Sequence, residues 1–244
     1  MPSTDTIERL VPEELEPDDV TGRKTLALHL ERYAFAARHA RPPRMLDIAC
    51  GVGYGSRLLA DRVEGVQEVL GVDHSPEAIG LAREHYAGGA VRFQEADAMR
   101  FEDASGFDTI VSLETVEHLP EPGGFLARLR GLLRPGGVLV ASVPTTPSVD
   151  VNPYHQHDFT ERSFRALLAA QGLHEVGCLR QRQPYRPWRT LARREARLAD
   201  LRSGLAGYYA RHPRALTRRI GALLLYGFEN RYLTVACRVD EAER

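Results

Sequence analysis

The chain has 244 residues, a formal net charge of -1, 43% apolar and 27% charged residues, the profile of one folded α/β unit with embellishments. No apolar patch, Ala222 to Leu225 included, approaches the roughly 18 residues that a membrane-spanning helix needs. No basic flank leads into an apolar segment at the start, so no secretory signal is read. The three cysteines, Cys50, Cys178 and Cys237, form neither a C-x-x-C pair nor an even disulfide framework, and a reduced, cytoplasmic location is expected.

Charge is unevenly distributed along the chain. Seven acids (Asp5, Glu8, Glu13, Glu14, Glu16, Asp18 and Asp19) crowd the stretch from Thr4 to Val20 against the single base Arg9, with three prolines in the first twenty residues. Residues 1–21 are therefore expected to form a mobile or loosely docked acidic arm. Residues 22–244 are expected to form one domain. A helix follows over 22–39, with Leu26, Leu30, Tyr33 and Ala37 at three- and four-residue steps, ended by Pro42 and Pro43.

Short apolar runs at 45–49, 69–72, 107–113 and 138–143, and a weaker one at 90–94, read as strands. Helical segments lie between them at about 54–63, 76–87 and 122–133, and Gly136-Gly137 are read as the turn into the fifth strand. Another helix from Thr160 to about Gln171, a strand at 174–181 and a last strand at 232–239 complete the pattern. Continuous apolar strands alternating with helices predict a parallel sheet covered on both faces.

The first strand runs through Asp47, Ala49 and Cys50 into Gly51, Gly53 and Gly55, then a helix. Glycine serves where backbone takes positive φ or approaches a ligand closely, and helix N-termini offer free N–H groups. A dinucleotide fingerprint would be G-x-G-x-x-G, but Ser56 stands where its third glycine belongs. Asp73, after the second strand, suits the ribose diol of either cofactor. Asp47 points toward a cofactor bearing an ammonium group, and Asp97-Ala98, after the third strand, toward an adenine read by a carboxylate and a backbone N–H. Carboxylates at the ends of strands one, two and three line one sheet edge, where such folds bind ligands.

The segments LDIACGVGYGS, VLGVDHSPEAI, FQEADA, FDTIVSLETVEHL and LLRPGGVLVASVP, in this order, resemble those of the class I S-adenosylmethionine-dependent methyltransferases. The resemblance spans residues 22–180 and the final strand, and implies a Rossmann-like seven-stranded sheet with its last strand antiparallel and a helical insertion before that strand. It implies a cofactor site of Tyr33, Asp47, Ala49, Gly51, Gly53, Asp73, His74, Asp97, Ala98, Leu113 and Glu114. Asp47 would support the methionine ammonium, Asp73 the ribose, Asp97 and Ala98 the adenine, and the Leu113–Glu114 backbone would close the methionine end. The lead-in HLERYAFA is similar to that of a bacterial branch that modifies glycans and natural products. Tyr33 and Phe35 in it either close over the cofactor or simply pack.

Methyl transfer is a direct displacement, so catalysis is mostly alignment and exclusion of water. A hydroxyl acceptor must also lose a proton, which makes His118, just past the fourth strand, the candidate base, with Glu117 beside it. The spacing Glu114-x-x-Glu117-His118 would gather three donors on a helical turn, with His157 or His155 as the fourth ligand of a divalent ion. The spacing resembles that in ubiquinone-biosynthesis O-methyltransferases and in small-RNA 2′-O-methyltransferases, where it is associated with magnesium. Tyr154, His155 and His157 are also read as substrate contacts. The competing reading makes His118 a base without metal.

Twelve arginines against two acids between Arg180 and Arg219 mark a basic insertion at about 183–229. Pro187 and Pro213 are read as helix starts, with Leu191, Leu198, Leu201 and Leu205 flanked by Arg193, Arg194, Arg197 and Arg202. A pair of cap or dimerisation helices is the first reading, a site for a phosphorylated acceptor or an anionic membrane surface the second, and nucleic acid the last. The function expected is methylation of a hydroxyl on a small polar or glycan-related acceptor. An amine acceptor, a cofactor-bound protein that does not methylate, and RNA follow in that order.

Overall fold

The computed structural model describes residues 10–12, 15, 19–185 and 202–239. Helix α1 spans Val20–His39, and the rest alternates: β1 Arg44–Ile48, α2 Tyr54–Arg62, β2 Glu68–Asp73, α3 Pro76–His85, β3 Val91–Glu95, β4 Phe107–Leu113, α4 Pro122–Leu132, β5 Leu133–Pro144, α5 Glu161–Ala169 and β6 Leu173–Pro184. Two short helices, α6 Leu205–Arg211 and α7 Pro213–Tyr226, precede β7 Glu229–Val239. Pro213 opens α7, as its fixed φ and missing N–H favour.

The seven strands form one sheet in the order β3-β2-β1-β4-β5-β7-β6. The first five are parallel, and β7 runs antiparallel to β5 and β6. Between β1 and β4 the order reverses. That leaves a crevice outside their C-terminal ends, the usual ligand position in open α/β sheets. The sheet separates two apolar layers. Phe107, Phe125 and Phe164 anchor one, and Phe35, Met45 and Ile79 the other, all buried. Each such side chain contributes about 1.5–3 kcal/mol relative to exposure.

Several boundaries differ from the predicted ones for physical reasons. Gly136, at φ 71°, does not precede the fifth strand but lies inside it, where the register against β4 slips between Phe107 and Thr109. Strands β6 and β7 run on together to pair Pro184 with Glu229, beyond the apolar stretches that signalled them. At the described residues of the acidic arm, Leu10 and Val11 are 3% exposed, and Val11 packs with Val52 and Ala78. Asp19 caps α1 by accepting from the Gly22 N–H at 2.7 Å.

Among the described arginines of the insertion, Arg211, Arg214 and Arg218 are exposed, Arg202 is half-buried and Arg219 turns inward. Arg219 is 13% exposed at its side chain and binds buried Asp150, whereas Leu224 and Leu225 are 83% and 74% exposed. Pro187, Leu191, Leu198, Leu201, Arg193, Arg194 and Arg197 lie outside the described residues. Among the described residues no helix is long and apolar enough to cross a membrane.

Candidate active site

The turn after β1 is built on positive φ angles at Ala49 (60°), Gly51 (57°) and Gly53 (90°). At Gly53 a Cβ would sit 2.6 Å from the Phe93 ring, so glycine is required there on two counts. The Gly51 N–H donates to Asp73 Oδ2 at 3.0 Å and the Ser75 N–H to Asp73 Oδ1 at 2.9 Å. Asp73 therefore ties the glycine turn to the end of β2, while the neighbouring His74 is 79% exposed.

Asp47, 1% exposed, sits beneath this turn. Tyr33 aims its hydroxyl at both Asp47 oxygens, 3.2 Å from each, and the Ser56 hydroxyl donates at 2.6 Å. Burial pushes the Asp47 carboxyl up to about 7, against the pull of those two hydroxyls. Tyr33 is thus built into the floor of the turn. Its ring lies so close to Gly55 that a Cβ there would overlap it. Phe35 instead turns into the core beside His39, ring centroids 4.3 Å apart. Asp97, half exposed, caps its own turn by accepting from the Met99 N–H at 2.8 Å, and Ala98 packs against the core.

At the end of β4 the chain departs from the expected helical spacing. Leu113 ends the strand, and Glu114 takes φ 49°. A short 3-10 turn, Val116–His118, follows instead of an α-helical one. Its i→i+3 closure sends Glu114 away from the other two donors. The Glu114 carboxylate accepts from Ser142 Oγ at 2.7 Å and lies 3.7 Å from Arg32 Nη1. Arg32, 1% exposed, donates from Nε to Gln181 at 2.7 Å and stacks over Tyr232, while its Nη1 has no hydrogen-bond partner among the described residues. Its composition signal was an arginine within the amphipathic α1 helix, indistinguishable in sequence from a solvated one.

Glu117 is fully buried and forms one wall with His118 and His155; their ligand atoms lie within 4.8 Å of one another. The two imidazoles meet edge to face, centroids 4.6 Å apart at 83°. Burial, with a smaller effect from His118, pushes His155 down to about 3, so it is neutral at physiological pH. His157 does not join them: its ring lies 6.1 Å from Phe159 and its backbone N–H donates to the Glu117 carbonyl at 3.2 Å. Tyr154 is 53% exposed and reaches the site only through its carbonyl, 3.3 Å from His118 Nδ1. The fourfold donor set expected from sequence thus becomes Glu117, His118 and His155, without Glu114 or His157.

These groups line a cavity of about 170 Å³, with His29 and Arg32 of α1, Glu114, Pro147, Ser148 and Tyr232 on its other sides. His29, 2.7 Å from the Tyr54 hydroxyl, is held down to about 3 by burial and by Arg32.

Comparison with known proteins places this architecture. A family model described as "Methyltransferase domain" matches residues 46–141. A Mycolicibacterium smegmatis protein assigned as an S-adenosylmethionine-dependent methyltransferase is 28% identical over 169 residues, 63% of this chain and 64% of that protein. The ubiquinone biosynthesis O-methyltransferase of Xanthomonas campestris is 30% identical over 186 residues, 66% of this chain and 75% of that protein. The chain thus spans just under two thirds of the first relative and three quarters of the second. Among solved structures the cyclase SpnF superposes with TM-score 0.61 at 18% identity, covering 93% of this chain and 86% of that one, a likeness of fold. The sheet order, the glycine turn between Asp47 and Asp73 and these relatives agree: the chain belongs to the class I S-adenosylmethionine-dependent methyltransferases.

Proposed function

We propose that this enzyme methylates an oxygen of a small polar acceptor held in the cavity between α1, the 3-10 turn and the loop carrying His155. The observation that carries this reading is the placement of His118 on the wall of a small cavity that Glu114 also lines. A cavity of about 170 Å³ is smaller than most drug-sized sites, which favours a single-ring metabolite or one sugar unit of a larger glycan. An amine acceptor needs only to be neutral; a nearby imidazole base is of most use to a hydroxyl.

S-adenosylmethionine supplies a methyl group on a sulfonium, and the chain's own residues do the rest. Asp47 would hold the cofactor ammonium, Asp73 the ribose diol, and Asp97 with the Ala98 N–H the adenine; Ala49, Gly51, Gly53, His74 and Leu113 would frame the path between them. Arg32 is a buried cation whose Nη1 would pair with the cofactor carboxylate. His118 would take the proton of the acceptor hydroxyl as that oxygen attacks the cofactor's methyl group.

A metal-assisted version rests on the juxtaposition of Glu117, His118 and His155. One carboxylate and two imidazoles suit manganese, iron or zinc; magnesium prefers an all-oxygen shell. An ion held there would acidify a bound hydroxyl. A screen of hydroxyl and amine acceptors for S-adenosylhomocysteine release, with chelator and with each divalent ion, tests both versions. Preferential turnover of amines would overturn the oxygen reading, and full activity in chelator would overturn the metal-assisted version.

A further inference from the structure

The loop at residues 145–159 supplies one wall of the cavity and is held from two sides. Toward the 3-10 turn, the N–H groups of Gln156 and His157 donate to the Glu117 carbonyl at 2.8 and 3.2 Å, and the Gln156 side-chain amide donates to the His118 carbonyl at 2.6 Å. The other side is held by the insertion. Asp150, 3% exposed, receives Arg219 on both carboxylate oxygens, Nε to Oδ2 at 2.8 Å, and the Tyr209 hydroxyl at 2.5 Å.

Arg219 also donates to the Pro147 carbonyl at 2.6 Å. Arg202 donates to the carbonyls of Val149 and Asp150 at 3.2 and 3.1 Å, and its backbone N–H to that of Val151 at 2.8 Å. Arg218 pairs with Asp158 at 3.0 Å, and Asp158 in turn accepts from the N–H groups of Ser148 and Val149. Ser148 Oγ lies 2.7 Å from His155 Nδ1. A continuous series of contacts therefore leads from α7 to the imidazole on the cavity wall.

A buried carboxylate is costly unless paired, and breaking such a pair strands the remaining charge. A device for stability alone could spread apolar contacts over any surface. Here three arginines and a tyrosine converge on one short loop, and that loop contributes Pro147, Ser148 and His155 to the cavity.

We propose that α6 and α7 form a strap that builds the acceptor wall, with Arg219 a positioning residue for His155 through Asp150, Pro147 and Ser148. This rests on the reading of the cavity as the acceptor site. It assigns Arg202, Arg218 and Arg219 an intramolecular task in place of the phosphate-binding one considered from sequence.

The test needs no acceptor. Diethylpyrocarbonate modifies histidines at a rate set by their exposure and hydrogen bonding, and peptide mass spectrometry reads each site. In the full chain with chelator present, Arg219→Met should be modified at His155 about tenfold faster than the parent, as local opening of the loop implies. His74, already 79% exposed, should keep its rate, as should S-adenosylhomocysteine its affinity. Arg219→Lys, which keeps one donor for Asp150, should recover most of the protection. Unchanged His155 reactivity in Arg219→Met overturns the proposal, and so does equal acceleration at every histidine. If that variant fails to fold, Tyr209→Phe decides by the same comparison, since it removes a single hydroxyl. Failure of the underlying reading shows separately: normal turnover by His155→Ala would remove the acceptor site while leaving the strap's effect on His155 reactivity intact.

Discussion

The Tyr33 hydroxyl lies 3.2 Å from both carboxylate oxygens of Asp47, joining the lead-in helix to the floor of the glycine turn. The two residues are 14 positions apart. Burial of Asp47, opposed by the hydroxyls of Ser56 and Tyr33, sets the protonation of the group that would meet the cofactor ammonium.

Asp47 makes cofactor affinity depend on pH. Its carboxyl is raised to about 7 by burial, while the ammonium favours the ionised form. Below that pH, binding must release a proton, so S-adenosylhomocysteine affinity should fall about tenfold per pH unit. Calorimetry from pH 8 to pH 5 should show this slope, and Asp47→Asn should bind weakly and without it. The linked stability has the opposite sense. A carboxyl with a raised folded pKa contributes most below its unfolded value and loses that contribution as pH rises through about 7. The ligand-free protein should therefore lose stability between about pH 4 and 7, with little further loss above that, and Asp47→Asn should lose less.

Arg32 should discriminate between cofactor fragments. Losing a charge-assisted hydrogen bond costs roughly 1.5–3 kcal/mol, so Arg32→Met should weaken S-adenosylhomocysteine binding by about 10- to 100-fold. Methylthioadenosine, which lacks the carboxylate, should bind the variant and the parent alike. Equal weakening for both ligands would show that Arg32 acts only on the fold.

His118→Ala should lower kcat by about 10²- to 10⁴-fold, the usual contribution of a general base, with cofactor affinity retained. Reduced S-adenosylhomocysteine binding in this variant would assign His118 a structural role.

Glu117→Gln separates the two versions of the mechanism. With metal assistance, activity should vanish in chelator, return with manganese or zinc before magnesium, and be lost in the variant. Full activity in chelator together with normal turnover by Glu117→Gln would remove the metal.

Gly55→Ala should destabilise the protein by about 1–3 kcal/mol, because the added methyl overlaps the Tyr33 ring and the core must shift. Thermal unfolding in the presence and absence of S-adenosylhomocysteine measures both the loss and any accompanying loss of affinity.

The strand-and-helix alternation and the cofactor turn were legible in sequence because their determinants are local. Positive φ at Gly51 and Gly53 calls for glycine within a few residues of Asp47, and buried parallel strands such as Phe107–Leu113 show as continuous apolar runs. The acceptor end was legible only as an inventory of donors. By spacing alone Glu114, Glu117 and His118 fall on one helical face, but the positive φ at Glu114 and the 3-10 turn after it direct Glu114 toward Ser142 and Arg32. Of the two candidate histidines, the hydrogen bond to Ser148 and the ring contact with His118 selected His155.

By itself, then, the amino-acid sequence determined the fold class, the strand sequence and the glycine turn that marks the methyl donor. Tertiary structure decided which side chains face the acceptor and which way the arginines point. Arg32 meets Gln181 across 149 positions and Arg219 meets Asp150 across 69. An arginine on an amphipathic helix looks the same in sequence whether it is solvated or buried. Only the folded chain brings up the carboxylate or amide that makes its burial affordable.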